Sequence, residues 1–316
     1  MTAPGRAEIR AEALGPQQGD QLLIEARFGA LSRGTERLVF EGRVPSSEIE
    51  RMRAPMQVGE FSFPVKYGYT SVGRVLEGPA ELIGRHVFCL APHQTVYRAP
   101  SAFVTPLPVD LPPQRAVLAA NMETALNGVW DAEIKAGDRV AIVGAGVVGC
   151  LVAFLCARHP GVEATLVDVD GRKAAVASAI GVGFAAPDDI KGAHADVVLH
   201  ASGSAAGLVT ALAAAGQETR VVELSWFGDT MPALPLGGAF HAQRVTLRSS
   251  QVGNLPPSQR ARWTHRRRME MALQLLAAPE LEALINSESS FEALPEVLPR
   301  VLGATSDVLC HRIRYT

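Results

Sequence analysis

The stretch Val140-Ala-Ile-Val-Gly-Ala-Gly-Val-Val-Gly-Cys-Leu-Val-Ala153 decides the fold. Its glycines, Gly144, Gly146 and Gly149, have the spacing G-x-G-x-x-G. A β-branched run precedes them, an apolar helical pattern follows through Arg158, and a second strand-like run ends at Asp168, 24 residues after Gly144. Each residue type has a task in holding a dinucleotide. Gly144 permits the tight turn, Gly146 lets the backbone approach a pyrophosphate, and Gly149 lets helix and strand pack closely. The loop and first helical turn, Ala145, Val147 and Val148 included, then aim free amides at the phosphates from the positive end of the helix. Asp168 can accept hydrogen bonds from the adenosine ribose hydroxyls, and its charge repels a 2′-phosphate. The expected coenzyme is therefore NAD(H) rather than NADP(H). The competing reading is a membrane span, because residues 140–157 carry no charge over eighteen positions. Three glycines within six residues and the adjoining β-α-β pattern favour a buried strand–turn–helix.

Outward from this unit, strands and helices alternate. Strands are expected at 140–143, 164–167, 195–200, 220–226 and 245–250, with helices to 158, near 172–180 and over 205–215. That alternation predicts right-handed β-α-β units and a parallel sheet. The first ~115 residues read instead as β-rich and irregular, with strand-like runs at 21–28, 71–76 and 86–90 punctuated by Gly and Pro. After Pro108, Pro112 and Pro113 a helical pattern takes over at 115–130. The tail predicts a long helix at 258–277, another at 291–302 and a closing strand at 308–315.

At 316 residues the chain is long enough for two domains, and 47% apolar with 20% charged residues excludes a disordered polymer. A net charge of −2 gives no global attraction for nucleic acid or anionic membrane. The local run Arg260, Arg262, Arg266, Arg267, Arg268 lacks interleaved aromatics that stack bases and reads as a solvated helix face. Four scattered cysteines, Cys89, Cys150, Cys156 and Cys310, include no C-x-x-C pair and do not form a disulfide framework. Free, mostly buried thiols and a start without an apolar signal region lead to the expectation of a cytoplasmic protein.

The order of parts resembles the medium-chain dehydrogenase/reductase superfamily, the zinc alcohol dehydrogenase-like proteins. The carriers are Gly-Ala-Leu-Ser-Arg-Gly-Thr-Glu (29–36), Pro-Val-Lys-Tyr-Gly-Tyr-Thr-Ser-Val-Gly (64–73), Gly-Arg-His-Val-Phe (84–88), Ala-Ala-Asn-Met-Glu-Thr-Ala (119–125) and the glycine fingerprint. The resemblance implies an α/β protein: a GroES-like β-rich substrate domain (1–115), a Rossmann-fold coenzyme domain with a doubly wound parallel sheet (116–266), and a segment returning to the substrate domain (267–316). It also implies a homodimer or homotetramer acting on a small-molecule substrate. The loop Ser32-Arg-Gly-Thr-Glu36 is similar to the Ser-x-Gly-Thr-Glu branch that includes bacteriochlorophyllide dehydrogenase-like proteins. The family's catalytic-zinc ligands, Cys, His and Cys, fall here on Ser32 or Arg33, Tyr69 and Ala120, and the structural zinc lobe has no counterpart after Phe88. No zinc is expected.

Without zinc, hydrogen-bond donors must meet the substrate oxygen. Thr35 matches the hydroxyl that relays protons in zinc relatives, and Tyr69 occupies the lost His position, either as donor or as filler of the vacated space. Glu36 is expected to hold its loop by accepting backbone amides. Lys66 is read either as a partner lowering a phenol pKa or as a surface lysine, and His93 as a proton relay or a loop histidine with no role. On the coenzyme side, Thr124 matches the family's residue at the nicotinamide face, Lys173 neighbours the adenosine ribose, and Ser202 and His200 end a Rossmann strand near the nicotinamide-side ribose. Trp226 borders the nicotinamide pocket or packs at a subunit interface. The leading expectation is hydride transfer between nicotinamide and an alcohol/carbonyl pair. A quinone or enone reductase, and a non-catalytic nucleotide-binding regulator, are the alternatives.

Overall fold

The short β-branched runs separated by Gly and Pro become strands in the computed structural model, which describes residues 1–316. They begin with β1 (Gln21–Leu31), β2 (Val58–Gly59), β3 (Val65–Lys66), β4 (Ser71–Glu77), β5 (His86–Cys89), β6 (Val96–Pro100) and β7 (Val104–Pro106). A second series follows: β8 (Arg139–Val143), β9 (Glu163–Val167), β10 (Gly183–Ala185), β11 (Ala195–His200), β12 (Ala215–Glu223) and β13 (Thr246–Ser249). β14 (Ile285–Ser290) and β15 (Cys310–Arg314) complete the set. The helices are α1 (Thr35–Phe40), α2 (Ala119–Ala132), α3 (Val147–Cys156), α4 (Ala174–Ala179), α5 (Ala205–Ala214), α6 (His265–Leu275) and α7 (Leu294–Val301). The chain divides into two units: 1–120 with 269–279 and 285–316, and 121–268 with 280–284.

The first unit is built on β1, which alternates Leu22, Ile24 and Ala26 inward with half-exposed residues between them. Its eleven residues are long enough to serve three antiparallel partners. β4 runs along its length, β6 pairs with the first half and β15 with the second. The sheet order is β14-β15-β1-β4-β5-β7. Leu294, Val297, Leu298 and Val301 form one apolar stripe of α7 and pack into the same core as Leu22, Ile24, Val75 and Ile313. A smaller cluster joins Val39 of α1 to Phe61, Val65 and Tyr67 and carries Tyr69 on its edge.

The second unit is a six-stranded parallel sheet of order β10-β9-β8-β11-β12-β13. The chain runs outward from β8 through β9 and β10, then returns to lay β11 on the other side of β8. That reversal opens a crevice beyond the carboxyl ends of β8 and β11, the place where doubly wound sheets bind ligands. Gly144 follows β8 and Ser202 follows β11, so both stand at the reversal.

The tail departs from the expected long helix. Only His265–Leu275 is helical, because Pro256 and Pro257 open a series of turns and Thr264 then starts a new helix, its hydroxyl accepting from Arg267 N at 3.1 Å. Nor are all five arginines of that region solvated. Arg268 is 2% exposed and donates to Glu123 at 3.0 Å, to Asn127 and to the Val252 carbonyl. β14, Ile-Asn-Ser-Glu-Ser-Ser, is a strand without apolar alternation, held by its parallel ladder with β15. No helix is long and apolar enough to cross a membrane. The four cysteines are free and buried, and burial pushes the thiols of Cys89, Cys150 and Cys156 up to about 12.

Candidate functional site

The three fingerprint glycines have separable physical roles. At Gly144 φ is +109°, and a Cβ there would lie 2.6 Å from Ser202 N. At Gly149 a Cβ would lie 1.8 Å from the Gly144 carbonyl oxygen, so only glycine lets α3 start against the end of β8. Gly146 differs. It caps α3 with extended backbone, and a Cβ there would meet nothing within 4 Å. Two glycines are thus demanded by the protein's own packing, while the third borders open space at the positive end of a ten-residue helix. Val147 and Val148 form the first turn behind it, where a helix leaves its amides unpaired.

Asp168 follows β9 directly. Its Oδ2 accepts from Ala145 N at 2.7 Å and its Oδ1 from Asp170 N at 2.9 Å, which fixes the carboxylate beside the glycine loop and leaves lone pairs for further donors. Contrary to expectation, the Ala145 amide is therefore engaged by Asp168 and not free for a phosphate. Arg172 is drawn onto Asp170, at 2.8 and 2.9 Å, so its charge is balanced locally. The charges of Lys173 and Asp168 both reach the Cys150 thiol on α3, which sets Lys173 on the same side. An open glycine at a helix N-terminus with a fixed carboxylate one strand away fits a dinucleotide.

At the end of β11, His200 is fully buried with a partner on each ring nitrogen. Nδ1 is 2.6 Å from Glu223 Oε2 and Nε2 is 2.6 Å from Ser202 Oγ. Glu223 Oε1 accepts from Ser225 N at 2.6 Å, and Ser225 Oγ accepts from Gly203 N at 3.0 Å. Phe227 stacks on the imidazole with ring centroids 6.2 Å apart. Thr124 sits half-buried on α2, and Trp226 lies in the irregular segment after β12.

In the first unit, Thr35 and Tyr69 come together. The Tyr69 hydroxyl stands beside the side chains of Ser32 and Thr35, both of which oppose the rise in its pKa. Burial, and next the Glu36 charge, push this phenol up to about 12, so it stays protonated across the physiological range. Of Ser32 and Arg33, the two residues weighed for the first ligand position, only Ser32 joins this group. The Arg33 guanidinium turns to the carbonyls of Val301, Gly303 and Val308. Glu36 is 0% exposed and accepts from Ser32 N at 2.9 Å, the loop-holding role expected of it. Its other oxygen meets His93 Nε2 at 2.9 Å, a pairing that no sequence spacing announces. Room for that imidazole depends on Gly68, where φ is +126° and a Cβ would lie 2.8 Å from the ring. His93 Nδ1 is buried without a partner. Lys66 pairs with Glu12 at 2.6 Å, not with a tyrosine. Lys66, Tyr67 and His93 line a cavity of about 870 Å³ together with the 7–16 segment.

These donors do not suit a catalytic zinc. Ser32, Thr35 and Tyr69 offer neutral hydroxyls, Ala120 offers nothing, and both oxygens of Glu36 are engaged. No three His, Cys, Asp or Glu side chains stand together as a metal set.

No family model matches the chain. A zinc-type alcohol dehydrogenase-like protein of Haemophilus influenzae is 31% identical over 144 residues, covering 42% of this chain and 42% of that protein. The match thus spans about two-fifths of the relative's length. Among solved structures, an alcohol dehydrogenase from Thermus sp. ATN1 superposes with a TM-score of 0.75 at 18% identity, covering 100% of this chain and 99% of that one. A zinc-binding dehydrogenase of Sinorhizobium meliloti, solved with NADP, gives 0.78 at 17% identity, covering 99% and 97%. The chain therefore has the fold of the alcohol dehydrogenase-like medium-chain dehydrogenases, with a GroES-like and a Rossmann part.

Proposed function

We propose that the protein is a zinc-independent oxidoreductase that binds NAD(H) and acts on an alcohol/carbonyl pair. The observation that carries the reading is the contrast among the fingerprint glycines: Gly144 and Gly149 are crowded by backbone, while Gly146 opens at the helix N-terminus. Asp168 supports NAD(H), since its fixed negative charge disfavours a 2′-phosphate and Arg172, four residues on, is paired with Asp170. The relatives described above include an NADP complex, so coenzyme choice is the point to test first.

When bound, the nicotinamide supplies or accepts hydride. This chain's own residues hold the oxygen. Thr35, Ser32 and Tyr69 form a hydroxyl group cluster that can donate to a carbonyl oxygen or accept the proton of an alcohol. With its phenol held near 12, Tyr69 acts as a neutral donor and not as a phenolate. Glu36 positions the cluster by fixing the Ser32 backbone.

Titration of protein fluorescence with NADH and NADPH checks the coenzyme, and tighter NADPH binding refutes the Asp168 argument. Elemental analysis of dialysed protein should find no stoichiometric zinc; one firmly held zinc per chain sinks the zinc-free mechanism. Turnover on secondary alcohols or ketones separates this reading from enone and quinone reduction. Firm NADH binding with no turnover on any of these would favour a nucleotide-binding regulator. In the productive assay, Tyr69→Phe and Thr35→Val should each lower kcat by about tenfold or more.

A further inference from the structure

We infer that Ser202, His200 and Glu223 form an acyl-transfer site, in which the Ser202 hydroxyl attacks small acyl esters carrying a good leaving group. This activity lies beyond hydride transfer and uses none of Ser32, Thr35 or Tyr69. A carboxylate only accepts hydrogen bonds, so Glu223 takes the proton on His200 Nδ1. The neutral ring then carries its lone pair on Nε2, and the Ser202 hydroxyl donates to it over 2.6 Å. Nucleophile, base and orienting carboxylate thus stand in the order and on the ring nitrogens that serine hydrolases use on unrelated folds.

The surroundings hold this arrangement in place. Glu223 is fixed through its second oxygen by Ser225 N at 2.6 Å. Phe227 covers one face of the buried imidazole. Gly207 leaves the necessary room, because a Cβ there would lie 2.1 Å from Ser202 Oγ and 2.8 Å from His200 Nε2. Ser202 itself is exposed; its Oγ also accepts from Ser204 N at 3.2 Å and lies 3.0 Å from Ser204 Oγ, and one of these contacts must open as the oxygen attacks. Immediately beyond it α5 begins. The Gly207 amide is taken by Ser204 Oγ, while Ala205 and Ala206 belong to the first turn, whose amides have no intrahelical acceptor. Those amides, at the positive end of a ten-residue helix, are the candidate donors to the oxyanion.

In the reaction, Ser202 Oγ bonds to the ester carbonyl carbon as its proton passes to His200 Nε2. Collapse of the tetrahedral adduct breaks the bond to the leaving oxygen, which takes the proton from Nε2. Water then attacks the acyl-serine, giving one proton to Nε2. That proton returns to Ser202 Oγ as the acid departs. Ester and water become acid and alcohol, with no oxidant or reductant.

The test is p-nitrophenyl acetate with nucleotide-free protein, read by nitrophenolate release and by mass spectrometry of peptides. Wild type should acquire one acetyl group on the peptide containing Ser202. Ser202→Ala should lose that adduct and at least about tenfold in rate, and Glu223→Gln should lose rate with an unchanged melting temperature. Saturating NADH should suppress acetylation, because Ser202 N packs against Gly144 at the mouth of the dinucleotide loop. The inference is overturned by a wild-type rate in Ser202→Ala or Glu223→Gln, by acetylation mapped to another residue, or by hydrolysis no faster than buffer.

Discussion

Two single-methyl substitutions in one loop should have opposite consequences. In Gly149→Ala the new Cβ would lie 1.8 Å from the Gly144 carbonyl oxygen, against an ordinary contact of 3.4–4 Å. Both partners are main chain, so no side chain can swing aside, and α3 must separate from the end of β8 by roughly 1.5 Å; overpacking of this kind costs about 1–3 kcal/mol, and the rigid backbone puts this case at the upper end. The surrounding unit has about 150 residues, a size at which 1 kcal/mol moves the melting temperature by roughly 2–4 °C. Gly149→Ala should therefore melt about 6–12 °C lower. Gly146→Ala meets nothing within 4 Å, and its φ of −77° and ψ of 179° are ordinary for alanine. It should melt within about 2 °C of wild type, with only a small loss at the cap. Its methyl group instead enters the space assigned to the pyrophosphate, and NADH should bind at least about tenfold more weakly, roughly 1.4 kcal/mol. Melting must be followed without nucleotide, since bound ligand stabilises by mass action. The roles assigned to the glycines are refuted if Gly146→Ala melts as low as Gly149→Ala, if Gly146→Ala keeps wild-type NADH affinity, or if Gly149→Ala melts like wild type.

Three further perturbations probe other parts of the chain. His311 is fully buried between the hydroxyls of Ser287 and Ser289, and burial, then Arg300, holds its imidazole down at about 4, with Glu288 opposing. Below 6.5 the unfolded chain takes a proton that the folded chain refuses until about 4, so this contribution is complete above 6.5 and is lost as pH falls toward 4, up to about 3 kcal/mol. Urea unfolding at pH 7.5 and 4.5 should show a smaller acid loss in His311→Gln than in wild type, and equal losses would exclude His311 as a source. Arg268→Met should destabilise by about 3–5 kcal/mol, because Glu123, already pushed up by burial, loses its guanidinium; Glu123→Gln added to it should restore part of the urea midpoint. Asp168→Ala should weaken NADH binding by about tenfold and narrow its advantage over NADPH by fluorescence titration, and an unchanged ratio would remove Asp168 from coenzyme choice.

The glycine fingerprint is legible because its task is local. Six consecutive residues set the turn, and the 1.8 Å conflict at Gly149 is with its own loop. Thr35 and Tyr69 are different. Nothing in their spacing joins them, and the resemblance alone placed both in one site; the structure brings both beside Ser32. Further off still are Glu36 with His93 and His200 with Glu223, pairs separated by 57 and 23 residues. The first is brought together by the packing of α1 against the loop after β5, the second by the register of β11 on β12. Polar β14 has no periodic signal, since its strand character resides in backbone pairing with β15.

Arg268 shows a case where the signal was present and outweighed. Within the basic run its charge points to solvent, yet its phase does not. Met269, Ala272 and Leu273 are buried, and Arg268 precedes the last two by four and five positions, within the buried face of α6. Phase favours burial and charge opposes it, because an unpaired buried cation costs several kcal/mol. The conflict resolves only with a partner, and that partner, Glu123, stands on α2, 145 residues earlier. A buried ion pair is therefore half legible: periodicity exposes the residue that should not be inside, and the fold alone names what pairs with it.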